Sequence, residues 1–132
     1  MTASSYQKGM TLIESMIVVA VMAILVSLAV ISYRGFILEA RRDDAKQLLY
    51  LNVSRLQRCF TLEGVYNGSC VIRTTSEEGY YSLTSAITAT TFEMTASPVA
   101  DLSQAEDAAC TSFTTNNNGV QEATGSAAQD CW

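Results

Sequence analysis

The apolar and polar positions divide this chain into three stretches. From Ser15 to Tyr33 nineteen consecutive residues carry no charge and are mostly Ile, Val, Leu, Met and Ala. As a helix rising ~1.5 Å per residue, this run would cover about 28 Å, close to the thickness of a bilayer's hydrocarbon core. Further on, Ala45, Leu49, Val53, Leu56 and Phe60 recur at intervals of three and four, which places them on one helical face. Asp43, Lys46, Gln47, Tyr50, Ser54 and Gln57 fill much of the remainder. No proline precedes Pro98, and Gly35 weakens the helix by only ~1 kcal/mol relative to alanine, so one helix is predicted from Met10 to about Phe60. It would be on the order of 75 Å long. Its apolar first half needs lipid or other copies of the protein to bury it.

The third stretch reads as strands. Gly64, Asn67 and Gly68 end the helix within Glu63 to Ser69. Tyr80 to Ile87 and Thr90 to Ala96 alternate apolar residues with Ser and Thr, and a turn through Ala89 would pair them as a hairpin. Ala109 to Thr115 and Val120 to about Thr124 form a second pair around Asn116-Asn117-Asn118-Gly119, whose Asn-Gly step is a strong hairpin signal. The expected fold class is α+β, a long amino-terminal helix whose second half packs on a small antiparallel sheet of about four strands.

Composition narrows the function. At 132 residues and 48% apolar content there is room for one domain and one membrane segment. Eight Lys and Arg against thirteen Asp and Glu give a net charge of −5, and no Lys or Arg follows Arg73. Nucleic-acid affinity comes largely from cations neutralising phosphates, so the balance argues against nucleic acid as a partner and confines any basic stripe to Arg34 through Arg73. There is no histidine, no phosphate-cradling glycine loop and no nucleophile beside a base. The chain therefore reads as a non-enzyme with no cofactor, no metal and no small-molecule substrate. Asp43 and Asp44 read as a solvated helix face. Asp101, Glu106 and Asp107 lack EF-hand spacing and read as solvent-facing loop residues.

Cys59, Cys70, Cys110 and Cys131 are an even set without CxxC spacing, which favours disulfides and an oxidising compartment. Three pairings are possible. Cys59 and Cys70 bracket the turn after the helix and Cys110 and Cys131 flank the last hairpin, which favours sequential pairing.

The amino-terminal segment is not an ordinary signal peptide, since its apolar run exceeds the usual ~7 to 15 residues and Arg34-Gly35-Phe36 follow it. Lys8 favours a cytoplasmic amino terminus, whereas Arg34, Arg41 and Arg42 favour the reverse, so positive charge alone leaves the orientation open. Glu14 is an isolated carboxylate at the edge of the apolar run, costly to bury without a partner.

The sequence Lys8-Gly9-Met10-Thr11-Leu12-Ile13-Glu14 resembles the type III signal of type IV prepilins and pseudopilins. The resemblance implies cleavage after Gly9 by a prepilin peptidase and N-methylation of Met10, which stands where phenylalanine is common. It implies that Glu14, fifth in the mature chain, meets the positive amino terminus of a subunit during assembly. It divides the chain into a cytoplasmic leader, 1–9, a transmembrane and filament-core helix, 10–34, and a periplasmic or extracellular head, 35–132. Tyr80-Tyr81-Ser82-Leu83, Thr91-Phe92, Cys110, Asn118-Gly119-Val120 and Cys131-Trp132 together are similar to minor type IV pilins of the PilE type. That likeness implies the type IV pilin fold, with Cys110 through Cys131 exposed on the filament. It implies a structural subunit, anchored once in the inner membrane and then placed in a pilus on the cell surface. Its partners would be other pilin subunits, prepilin peptidase and the inner-membrane pilus assembly machinery. Family filaments often loosen at a proline late in the apolar stretch, where this chain has Ile31, Ser32 and Tyr33. The alternatives are a competence pilin binding extracellular DNA and a type II secretion pseudopilin.

Overall fold

The computed structural model describes residues 9–132 and, for residues 30–32, the backbone alone. The elements run in the order α1, Leu12–Glu63, then strands β1, Tyr81–Ile87, β2, Phe92–Pro98, β3, Ser112–Asn116, and β4, Gln121–Thr124. Short 3-10 turns lie at Ser103–Glu106 and Ala128–Asp130. The chain divides into two compact units, Met1–Phe36 and Ile37–Trp132.

In the first unit the helix begins where Thr11 caps it, the Glu14 N–H donating to Thr11 Oγ1 at 3.3 Å. Two described serine hydroxyls of this stretch bond back to the backbone. Ser15 Oγ donates to the Thr11 carbonyl and Ser27 Oγ to that of Ile24, at 3.4 and 2.7 Å. Such back-bonding is what a hydroxyl needs in a medium without water. Every described side chain of this unit is exposed, and the apolar ones point in all directions around the helix.

The second unit is built the opposite way. Ala45, Leu48, Leu49 and Leu56 of α1 are buried against one face of a sheet ordered β1-β2-β3-β4, antiparallel throughout. Period-two alternation sends Tyr81 and Leu83 of β1, Phe92, Met94 and Ala96 of β2, and Phe113 of β3 into that core. Their neighbours on the strands form the outer face, where Thr84 lies opposite Thr95 and Thr95 opposite Thr114. Thr75 bridges to Ser82 and covers part of the free edge of β1.

The expected strands exist, with shifted ends. β2 reaches Pro98, which pairs with Tyr81, instead of stopping at Ala96. β3 starts at Ser112, three residues after the expected start at Ala109. Before it, the Cys110 N–H is drawn to Asp107 Oδ1 at 3.3 Å, while Ala108 and Ala109 give their carbonyls to Ser126 and Ala127. The Asn-Gly turn closes as expected. Asn116 Oδ1 accepts the N–H groups of Asn118 and Val120, and Gly119 adopts φ +76°, where a side chain would be strained. The helical stripe is also shifted. Phe60 is 39% exposed and stacks on Tyr66, whereas Leu48 and Asn52, outside the expected stripe, are buried.

Candidate functional site

The chemistry of this chain is divided between the amino-terminal segment and the surface of the head. Of the expected leader, residues 1–9, only Gly9 lies within the described residues. Gly9 and Met10 are exposed and precede the helix, so the bond between them lies outside any assigned helix, strand or turn. Glu14 is exposed in the first helical turn, and Thr11-Leu12-Ile13-Glu14 matches the S/T-x-x-E pattern of a capping box. That pattern was readable in the sequence and gives Glu14 a second role: a carboxylate beside the positive end of the helix. The backbone is capped by Thr11, so the Glu14 charge itself is free to meet an outside cation.

Two head carboxylates differ from their sequence reading. Asp107 is 3% exposed, because Arg42 reaches it with Nε and Nη2 at 2.7 and 2.9 Å, a bidentate pair between α1 and the loop before β3. Gln104, fully buried, donates to the Leu38 carbonyl at 3.2 Å and to the Tyr81 hydroxyl at 2.8 Å. The bond to Asp107 holds the Arg42 guanidinium above its ordinary pKa. Burial pushes the Tyr81 phenol up to about 12. These four side chains fasten the 3-10 turn to the helix; they do not form a catalytic cluster, since the acid is already neutralised by its arginine. Asp44, expected on a solvated face, is 7% exposed. The Glu78 N–H donates to its Oδ1 at 3.3 Å, while Asp43 stays exposed beside Lys46.

Asn52 is a further residue that periodicity missed. Its amide accepts the Arg73 N–H at 2.7 Å and donates to the Arg73 carbonyl at 2.9 Å, imitating a strand pair between helix and loop. A lone Asn inside an apolar helical stretch was the available signal.

Cys59 is bonded to Cys70 and Cys110 to Cys131, with Cα atoms 6.0 and 5.8 Å apart. The first bond ties the end of α1 to the following loop. That loop is also held by Ser69, whose N–H and hydroxyl both donate to Glu63 and keep its carboxyl below the usual carboxylate range. The second bond is buried and joins the start of β3 to the carboxy terminus, where Trp132 donates to the Glu122 carbonyl at 2.7 Å.

Cations of the head are unevenly used. Arg42 and Arg73 have acidic partners, Asp107 and Glu77, and Arg41 lies on the Tyr80 ring and on Ser103. Among the described residues Arg55 and Arg58 form no ion pair, and both are exposed along a shallow groove of about 440 Å³ lined also by Leu62, Val71 and the Cys59–Cys70 bond.

A helix that is apolar and uncovered up to Phe36, then packed on a four-stranded antiparallel sheet stapled by two disulfides, is the architecture of a type IV pilin. Solved structures agree. A type IV pilin from Shewanella oneidensis matches with TM-score 0.53 and 26% identity over 72% of this chain and 97% of that one. The non-core minor pilin PilV of Neisseria meningitidis matches in fold with TM-score 0.57 and 18% identity over 69% of this chain and 90% of that one. Residues 4–30 match the prokaryotic N-terminal methylation motif. Residues 32–114 match the family described as type IV minor pilin ComP, DNA uptake sequence receptor. That match spans more than half of the chain, and the chain belongs to this family of type IV minor pilins. No curated protein matches its sequence. Family and fold carry a structural rather than an enzymatic role, and imply assembly with other pilins after processing by a prepilin peptidase. The apolar segment and the methylation motif fit a chain anchored in a membrane before assembly.

Proposed function

We propose that prepilin peptidase cuts this chain after Gly9, that Met10 is then N-methylated, and that residues 10–34 hold the product in the inner membrane until the assembly machinery draws it into a surface pilus. Residues 35–132 are the exposed head. The observation that carries this reading is the first unit itself: a helix whose described apolar side chains are exposed, lying largely within the match to the N-terminal methylation motif. Outside lipid such a surface is soluble only when neighbouring subunits cover it. Glu14 supplies the one charge at the entrance of that helix and pairs with the amino terminus of a subunit in the filament.

Two substitutions separate the assembly role from the capping role. Glu14→Gln keeps hydrogen-bonding capacity at the third helical position but removes the charge; Thr11→Ala removes the cap and keeps the charge. Sheared filaments are expected to lose the Glu14→Gln chain and retain the Thr11→Ala chain, with mass spectrometry finding N-methylated Met10 in the latter. Equal incorporation of both would refute the assembly role.

The family description favours a second reading, capture of DNA by the head. Its cations end at Arg73, so contact would have to come from the helix and the loop after it. Full-length protein in detergent micelles would then bind duplex DNA with an affinity falling steeply with salt. Binding that is absent at low salt would dismiss this reading and leave the structural one intact.

A further inference from the structure

The head carries two exposed patches of opposite charge, each with an exposed leucine. One is the groove at the end of α1. Leu62 and Val71 are 76% and 78% exposed, and Arg55 and Arg58 flank them without an acidic partner among the described residues. The other, the knob, is the 3-10 turn before β3 with the residues leading into it, where Leu102, 38% exposed, lies in the chain between exposed Asp101 and Glu106. We propose that the knob of one copy of this chain docks into the groove of a second copy, Leu102 against Leu62 and Val71, with Asp101 and Glu106 facing Arg55 and Arg58.

Both patches are held rigid before any contact, which lowers the entropy lost on docking. The Cys59–Cys70 bond fixes the wall of the groove beside the last helical turns. The knob is fixed from beneath, since buried Gln104 is bonded to the Leu38 carbonyl and to Tyr81, and Leu102 and Ala105 N–H groups close the turn at 3.1 and 3.0 Å. The apolar pair in the groove favours a protein knob over a phosphate backbone, whose contacts are polar and wet.

The knob is pinned beside Leu38 and the groove begins at Arg55, so along the helix they are separated by roughly 25 Å. Two copies shifted relative to each other along the helix axis by that distance use this pair of patches head to tail. Each contact then leaves one groove and one knob free, which is the geometry of an open chain of subunits. The proposal rests on reading the chain as a polymerising subunit. It is tested without cells or pili, so it and the Glu14 experiment can fail independently.

Sedimentation velocity of the full-length protein in detergent micelles provides the test. R55E/R58E has a reversed groove and D101K/E106K a reversed knob. Each variant alone is expected to self-associate roughly tenfold more weakly than the unaltered chain. Mixed in equal amounts they recover association to within about twofold, because reversed groove meets reversed knob and the two unaltered patches meet each other. A variant that associates alone as well as the unaltered chain, or a mixture no better than its components, overturns the proposal. So does loss of duplex DNA binding by R55E/R58E with association unchanged, which would assign the groove to nucleic acid. For the unaltered chain, association must weaken as salt rises; indifference to salt overturns the proposal even if a variant fails to fold.

Discussion

One helix runs through both units of this protein under two opposite rules. Up to Phe36 its described apolar side chains are exposed; beyond Ile37 one apolar face, with Ala45, Leu48, Leu49 and Leu56, is buried against the sheet. Leu25 and Leu49 are the same residue in the same secondary structure, yet one is 58% exposed and the other fully buried. The first stretch has no packing partner among the described residues, whereas the second is packed from within the chain.

Matched substitutions break the comparison most sharply. Leu49→Ala should destabilise the head by about 2–5 kcal/mol, while Leu25→Ala should change it by less than ~0.5 kcal/mol, both read by urea titration of Trp132 fluorescence. Trp132 is the only tryptophan and lies edge-on to Phe113 in the head, so it reports on that unit alone. Leu25→Ala should act instead on incorporation into filaments. Next in size, Cys110→Ala with Cys131→Ala should cost roughly 2–4 kcal/mol in the same titration and leave the first unit's helical signal unchanged by circular dichroism. A comparable loss in both units would show that they are not independent. Smaller again, Asn52→Ala leaves the Arg73 backbone without its partner and should cost about 1–3 kcal/mol.

The smallest effect is in pH. Tyr81 in the folded head titrates at about 12, against an ordinary value near 10 in the unfolded chain. Below ~10 both states hold the proton and the contribution is complete. Between ~10 and about 12 the unfolded phenol ionises first, so stability falls as pH rises. Tyr81→Phe should flatten that slope in denaturation curves measured across the window.

Much of the fold was legible because it rests on local pattern. Nineteen uncharged residues, the Asn118-Gly119 step and the alternation through Tyr81, Leu83, Phe92 and Met94 each encode their own element. The buried acids were not legible. Asp107 is buried because Arg42 lies 65 positions earlier in the chain, and Asp44 because the Glu78 N–H comes to it from 34 positions later. A carboxylate's burial is decided by its partner, and no periodicity announces a partner that distant. Phe60 was misplaced for a related reason. Tyr66, after the helix has ended, packs edge-on against Phe92 and stacks on Phe60. Glu14 was singled out as an uncompensated charge, whereas the Thr11 cap beside it was overlooked in the same seven residues.

The two disulfides are consecutive in the chain and do not interleave. When the head is delivered across a membrane amino terminus first, Cys70 arrives while Cys59 is the only thiol waiting, and Cys131 arrives when Cys110 is. An oxidase that joins cysteines in their order of arrival therefore makes the native pairs directly. On that order of delivery the native pairs require oxidation and no disulfide isomerisation.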